Sequence, residues 1–149
     1  MGNTSYAAIA DVTARYPNRD LVQLTNEDPT VETVNATALQ AALNDAGAEI
    51  DLYITSRFQQ PLATVPVGLT IMCCDIAVYN LQRLRPLKSM ESARQRYEDA
   101  IAKLRLIAKG ELTLGLDTSS NEPVPAQERA VVLQDAPPPM FSRHRLRVY

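Results

Sequence analysis

Two long apolar segments dominate the hydrophobic pattern of the chain. In the first, predicted as a helix from Asn35 to Arg57, apolar side chains recur at steps of three and four and form one stripe. That stripe consists of Leu39, Leu43, Ala46, Ile50 and Tyr53. In the second, which runs to about Leu84, one stripe consists of Val67, Ile71, Cys74, Val78 and Leu81, and Leu69, Met72, Ile76 and Tyr79 fill much of the remaining surface. A helix that is apolar nearly all round is buried, either in its own core or in an assembly.

Capping residues and prolines predict three further helical segments. A first short helix, capped by Thr4 or Ser5, ends near Arg15, and Asn18 or Asp20 can cap a further turn after Pro17. The last helix follows Ser89 and ends at Lys109-Gly110, with a cation in the final turn and a glycine beyond it. The pattern predicts an all-α fold, a small bundle of about four to five helices over residues 1–115.

The character of the chain changes after Gly115. Five of the ten prolines lie between Pro123 and Pro139, and helical periodicity ends. We predict that residues 116–149 form an extended C-terminal arm, in which Ala130–Leu133 can form a short strand and Pro137–Pro139 a stiff spacer.

The end of this arm alternates apolar residues with arginines. Such a segment has the anchors and the charge to bind in an extended form on another surface. The alternative is a frayed terminus with chance hydrophobic residues. The candidate contact residues are Phe141, Arg143, Arg145, Leu146, Arg147 and Tyr149.

Charge is segregated along the chain although the net charge is only −2. Residues 1–57 carry eight acidic and three basic residues, whereas residues 83–109 carry eight basic and three acidic residues. Copies of such a chain can dock head to tail, with an acidic face meeting a basic face. The residues predicted for this ring interface, or for a channel face, are Asp45, Glu49, Asp51, Arg94 and Arg105. The alternative is two solvated helix faces.

The residue types that support catalysis or metal binding are poorly represented. His144 is the single histidine and lies in the predicted arm, and Cys73 and Cys74 are adjacent, without the spacing of a zinc or redox site. Five scattered glycines form no phosphate-binding loop. Asp75 stands on an apolar helix and is predicted to need a structural partner, for which Arg57, Arg83 and Arg96 are candidates. We predict no catalytic site, no cofactor and no metal.

The sequence also bears on location and on nucleic-acid binding. The first ten residues lack the features of a signal peptide, no apolar run is long enough to span a membrane, and two thiols favour a reducing cytoplasmic origin. A small helical DNA-binding protein is an alternative because of the basic residues between Arg83 and Lys109. Acidic residues interrupt that patch, and the sequence pI is near 5.4.

Several stretches, in order along nearly the whole chain, match one known family: Ala14–Thr25, Ala48–Tyr53, Arg57–Leu62, Cys74–Tyr79, Arg96–Ala100, Gly110–Gly115, Phe141–Arg143 and Arg145–Arg147. As an ordered set they resemble the Mu-like phage and prophage family of head–tail connector proteins, also called adaptor or head-completion proteins.

This resemblance implies a non-enzymatic virion protein at the head–tail interface, made in the cytoplasm of the bacterial host. Related adaptors form a ring, commonly of twelve copies, beneath the portal protein. Such a ring extends the DNA channel, lies close to packaged DNA without reading its sequence, and presents a surface to a tail-proximal connector or a tail terminator protein. A cytoplasmic assembly factor that is missing from finished particles is the remaining alternative.

Overall fold

The computed structural model describes residues 5–88 and 92–116. These residues contain five α-helices, namely α1 (Ile9–Arg15), α2 (Asn18–Thr25), α3 (Ala36–Ile54), α4 (Val67–Leu84) and α5 (Ala93–Lys109). The all-α prediction is confirmed for this part of the chain. The predicted division at residue 115 and the extended arm stay predictions, because residues 117–149 lie outside the described residues.

The three long helices α3, α4 and α5 pack on one another, and α1 and α2 pack against α3 and α4. The predicted stripe of α3 is buried at four of its five positions, from Leu39 to Ile50, while Tyr53 is half-buried. Along α5 the buried positions are Ala93, Ala100, Ile101, Leu104 and Ile107. One continuous apolar core therefore lies between the three long helices, where burial of apolar surface supplies most of the stabilisation.

Local signals account for several helix ends. The side chain of Asn35 accepts hydrogen bonds from the backbone N–H groups of Thr37 and Ala38, so α3 begins at Ala36. Helix α4 ends at Leu84, as the following Arg85-Pro86 predicts. Gly110 ends α5 in the left-handed conformation with φ of 84°.

Two details of the predicted elements are wrong, and a third, the cap of α5, falls outside the described residues. Helix α1 begins at Ile9 rather than near Ser5, and the carboxylate of Asp11 accepts the N–H of Ala8 at 2.8 Å. Pro17, not Asn18 or Asp20, occupies the cap position of α2. Ser92 precedes α5, and the predicted cap Ser89 lies outside the described residues.

The predicted stripe of α4 is buried in the core of the chain only from Cys74 onward. Val67 is 68% exposed and Ile71 is 42% exposed, whereas Leu69 and Ile76 are fully buried. Since almost every face of α4 is apolar, the positions of α3 and α5 decide which side is buried. The first two turns of α4 consequently present apolar side chains at the surface.

Candidate assembly surfaces

The acidic residues predicted for the ring or channel face lie on two sides of α3. Asp45 is exposed. Glu49 is half-buried and accepts a 2.8 Å hydrogen bond from the hydroxyl of Tyr97 on α5. Asp51 accepts a hydrogen bond from the hydroxyl of Tyr6 and points about 120° away from Asp45 around the helix. The structure thus brings Asp45 and Glu49 together and separates Asp51 from them.

Tyr97 connects all three long helices. Its ring stacks on Tyr79 of α4, with ring centroids 4.3 Å apart and an interplanar angle of 19°. The hydrogen bond to the Glu49 carboxylate stabilises the protonated phenol and, with desolvation, raises the pKa of Tyr97 to about 12. Glu49 therefore has a structural role within the chain.

The exposed part of α3 forms what we name the α3 outer face, which consists of Ala41, Asp45, Ala48 and Leu52. Their spacing of three and four residues places them on one side of the helix. All four are exposed, and Leu52 is 80% exposed. This face combines small side chains, one carboxylate and one large apolar side chain.

The basic residues predicted for the ring interface lie together on α5. The α5 outer face consists of Arg94, Glu98, Ala102, Arg105 and Lys109, all exposed and within a strip of about 80° around the helix. Arg94 forms an ion pair with Glu98 at 2.8 Å, and both side chains are at least half exposed, so this pair contributes little to stability. Arg105 faces solvent. The face carries three basic residues and one acidic residue.

Asp75 has a different partner from those predicted. It is half-buried on α4 and accepts a hydrogen bond from the hydroxyl of Tyr16, which follows α1. The guanidinium carbon of Arg96 lies 5.3 Å from the centroid of the Tyr16 ring. Burial and the neighbouring Asp75 carboxylate raise the pKa of Tyr16. A tyrosine thus takes the place of the predicted arginine partner, and the guanidinium group of Arg96 lies over the ring of that tyrosine.

A groove of about 390 Å³ lies between the first half of α4 and α5. We name it the α4–α5 groove. Residues after α5 close one wall of it, with Leu112 and Leu114 among them, and Ile71 and Ile107 contribute apolar surface. Four charged residues line it as well, namely Asp75, Arg96, Asp99 and Lys103. The apolar pattern of the sequence did not reveal this groove, because it left open whether Val67 and Ile71 face the core or an assembly surface.

A second concavity, of about 620 Å³, lies beside α2 and the loop that follows it. Arg85 crosses its edge and pairs with Glu27 at 3.1 Å. Its lining is mostly polar and carries charges of both signs, so its chemistry selects no ligand class.

Cys73 and Cys74 are both buried. Cys73 donates a weak hydrogen bond to the carbonyl of Leu43 at 3.8 Å. Desolvation raises the pKa of Cys73 to about 12 and that of Cys74 to about 11, which keeps both thiols protonated near neutral pH. Within residues 5–88 and 92–116, no group of three potential metal-ligating side chains occurs.

Two other sequence predictions concern membranes and the arm. Among the helices of the described segments, none combines the length and apolar character that a membrane crossing requires. The predicted arm contacts Phe141, Arg143, Arg145, Leu146, Arg147 and Tyr149 all lie outside the described residues.

Comparison with known proteins gives concordant matches. The family model described as Bacteriophage Mu, Gp36 matches residues 6–133. The chain is 38% identical over 104 residues to the Mu-like prophage FluMu protein gp36 of Haemophilus influenzae, covering 70% of this chain and 71% of that protein. It is 30% identical over 139 residues to Gene product J of Escherichia phage Mu, covering 93% of this chain and 95% of that protein.

Proposed function

The chain belongs to the bacteriophage Mu Gp36 family, and on this basis we propose that it is a non-enzymatic structural protein that connects the phage head to the tail. In this role it forms a ring, commonly of twelve copies in related adaptors, beneath the portal protein. The ring extends the DNA channel and presents a surface to a tail-proximal connector or a tail terminator protein.

The structural observation that supports this proposal is a pair of oppositely charged faces on the helical core. Both faces lie within residues 6–133, which match the family model. The α3 outer face carries Asp45, and the α5 outer face carries Arg94, Arg105 and Lys109 beside one acid. A heterologous contact between two different faces generates a closed ring when its rotation closes. Opposite charges favour this head-to-tail contact over contacts that bring two like faces together.

Within this proposal the acidic residues of α3 have separate roles. Asp45 meets the α5 outer face of the next subunit or lines the channel, where a carboxylate repels DNA phosphates. Glu49 and Asp51 act indirectly. Each accepts a hydrogen bond from a tyrosine of the same chain and so stabilises the helical core that carries the contact faces. The arm from about Ala130 pairs by backbone hydrogen bonds, and its end anchors on the portal protein or a neighbouring subunit through Phe141 and Leu146, with the arginines there supplying charge.

Quantitative mass spectrometry of purified particles tests the proposal directly. The number of copies of this chain is measured against the portal subunit, with the major capsid protein as an internal standard for intact heads. We expect nearly equal copy numbers of this chain and the portal subunit. Absence from the particles would overturn the proposal and favour a cytoplasmic assembly factor.

A further inference from the structure

The first two turns of α4 leave large apolar side chains exposed beside the α4–α5 groove. Val67 is 68% exposed, Ile71 is 42% exposed, and Leu112 across the groove is 41% exposed. Ile71 and Leu112 both line the groove, together with the buried Met72 and Ile107. Exposed large apolar side chains at the rim of a groove are suited to contact with another apolar segment.

The helix backbone at the edge of the groove, at Gly68, is not covered by other described residues. Gly68 lies in the first turn of α4, where a glycine costs about 0.5–1 kcal/mol relative to alanine. A β-carbon at Gly68 would meet no heavy atom of the described chain within 4 Å. Packing among the described residues therefore gives no reason for this glycine, and its open side admits another segment close to the helix backbone.

The chain itself supplies a segment of matching chemistry. The described residues end at Leu116, directly after Leu112 and Leu114 of the groove wall. Beyond Leu116, the only run of four consecutive apolar residues is Ala130–Leu133, and the family match ends at residue 133. Arg129 and Asp135 flank this run, and the groove offers Asp99 and Lys103 as partners of opposite charge.

The connecting length permits binding within one chain. Residues 117–129 span up to about 40 Å when extended, whereas α5, which forms one side of the groove, is about 25 Å long. A tether of this length holds the segment at an effective concentration on the order of millimolar, which favours its own groove over that of a free second copy.

We propose that Ala130–Leu133 binds in the α4–α5 groove of its own chain. Its apolar side chains cover Ile71 and Leu112, and its backbone runs past Gly68. The bound run fixes the point from which Pro137–Tyr149 leaves the bundle. This inference does not rest on the head–tail role, and the isolated full-length protein tests it.

Paired cysteines provide the test. The full-length variant Ile71→Cys/Val132→Cys is oxidised in dilute solution and examined by non-reducing electrophoresis. The matched control is Leu84→Cys/Val132→Cys, because Leu84 is 80% exposed and lies about 20 Å farther along α4. The native Cys73 and Cys74 are 1% and 0% exposed and do not compete. The single variant Val132→Cys checks this point.

We expect the Ile71 pair to form an intrachain disulfide in a yield on the order of tenfold above that of the Leu84 pair. Val131→Asp in the same background should lower the yield to the control level, because it places a carboxylate against the apolar side chains of the groove, Ile71 and Leu112. Equal yields from the two pairs, or a yield that Val131→Asp leaves unchanged, would overturn the proposal. Mixing Ile71→Cys and Val132→Cys on separate chains should give no cross-linked dimer, and a dimer formed as efficiently as the intrachain bond would assign the groove to a second copy.

Discussion

The hydroxyl of Tyr97 donates a 2.8 Å hydrogen bond to Oε1 of Glu49, and this bond joins α5 to α3. Glu49 is one of the acidic residues that the sequence predicts for an interface or channel face. Because the carboxylate also supports the fold of its own subunit, a substitution of Glu49 changes both stability and surface charge. Any test of assembly must therefore separate these two effects.

Removal of the Tyr97 hydroxyl tests its structural role. Tyr97→Phe keeps the stacking on Tyr79 and removes the hydrogen bond to Glu49. We expect the free energy of unfolding to fall by about 1 kcal/mol near neutral pH. Urea unfolding followed by far-ultraviolet circular dichroism measures this change. An unchanged free energy of unfolding would show that the bond contributes nothing to the fold.

The same variant makes a pH prediction. The pKa of Tyr97 is raised from 10.0 to about 12 in the folded chain, so its contribution is fully present below pH 10 and is lost as the pH rises towards 12. Tyr16, whose pKa is also raised, remains in both proteins. The stability difference between the native chain and Tyr97→Phe should therefore shrink from pH 9 to pH 12. A difference that is constant over this range would contradict the prediction.

Local patterns predicted much of the helical core. The stripe from Leu39 to Ile50 and the end of α5 at Gly110 both depend on neighbouring residues, and the structure confirms them. The exposed side of α4 could not be predicted in the same way. Its apolar residues surround the helix, so only the packing of α3 and α5 distinguishes Ile71 from Ile76.

The partner of Asp75 illustrates a second limit of the sequence. Tyr16 is 59 positions away along the chain, and no local spacing connects the two residues. An arginine was the expected partner because it neutralises a carboxylate, yet a hydroxyl also satisfies one by hydrogen bonding. The candidate assembly residues were located by charge alone. Helical spacing alone places Asp51 about 120° from Asp45, but the hydrogen bonds of Glu49 to Tyr97 and of Asp51 to Tyr6 join residues more than 40 positions apart and could not be predicted from it.

A double-mutant cycle measures the coupling between Tyr16 and Asp75. Tyr16→Phe leaves the half-buried carboxylate without the hydroxyl and should lower the free energy of unfolding by about 1–3 kcal/mol. Asp75→Asn retains an acceptor for the hydroxyl and should cost less. The double variant should cost less than the sum of the single variants, and strictly additive values would rule out coupling between the two groups.

Substitution by alanine should change the free energy of unfolding in opposite directions at Gly68 and Gly110. Gly68→Ala should raise the free energy of unfolding by about 0.5–1 kcal/mol if its added methyl group meets only open space. If Ala130–Leu133 occupies the groove, the added methyl group meets the bound segment and the gain in the free energy of unfolding is smaller. The full gain should then appear only in a chain that also carries Val131→Asp, which removes the segment from the groove. Thermal unfolding of the four proteins of this cycle decides between these results.

Gly110→Ala should instead destabilise the chain. Gly110 has φ of +84°, and an added β-carbon would overlap the guanidinium group of Arg57, with Cζ at 2.8 Å. The left-handed conformation alone costs about 1–2 kcal/mol for a residue with a β-carbon. Because Arg57 has a flexible side chain, adding Arg57→Ala should relieve the overlap and leave the conformational cost. Full recovery in the double variant would contradict this account.

Charge reversal tests the proposed ring contact at residues without the structural role of Glu49. Asp45→Lys and Arg105→Glu should each reduce ring formation by the purified chain, because each brings like charges together across the contact. The double variant Asp45→Lys/Arg105→Glu should recover part of the lost ring formation. Glu32→Lys, on the exposed loop before α3, makes the same change of charge elsewhere and serves as the control. Sedimentation velocity measures assembly, and indifference to both Asp45→Lys and Arg105→Glu would overturn the proposed contact.

Deletion of Pro137–Tyr149 tests the arm as the anchor to the portal protein or to a neighbouring subunit. The deletion removes Phe141, Leu146 and three arginines but leaves all five described helices intact. We therefore expect normal thermal stability and much weaker attachment to purified heads that contain the portal protein, measured by co-sedimentation.

Phe141→Ala/Leu146→Ala should reproduce most of the loss if the apolar anchors dominate, since charged contacts at an exposed surface contribute little. Replacing the three arginines with glutamine should then have the smaller effect and weaken the dependence of attachment on salt. Unchanged attachment after the full deletion would exclude the arm as the anchor and transfer that role to the helical bundle.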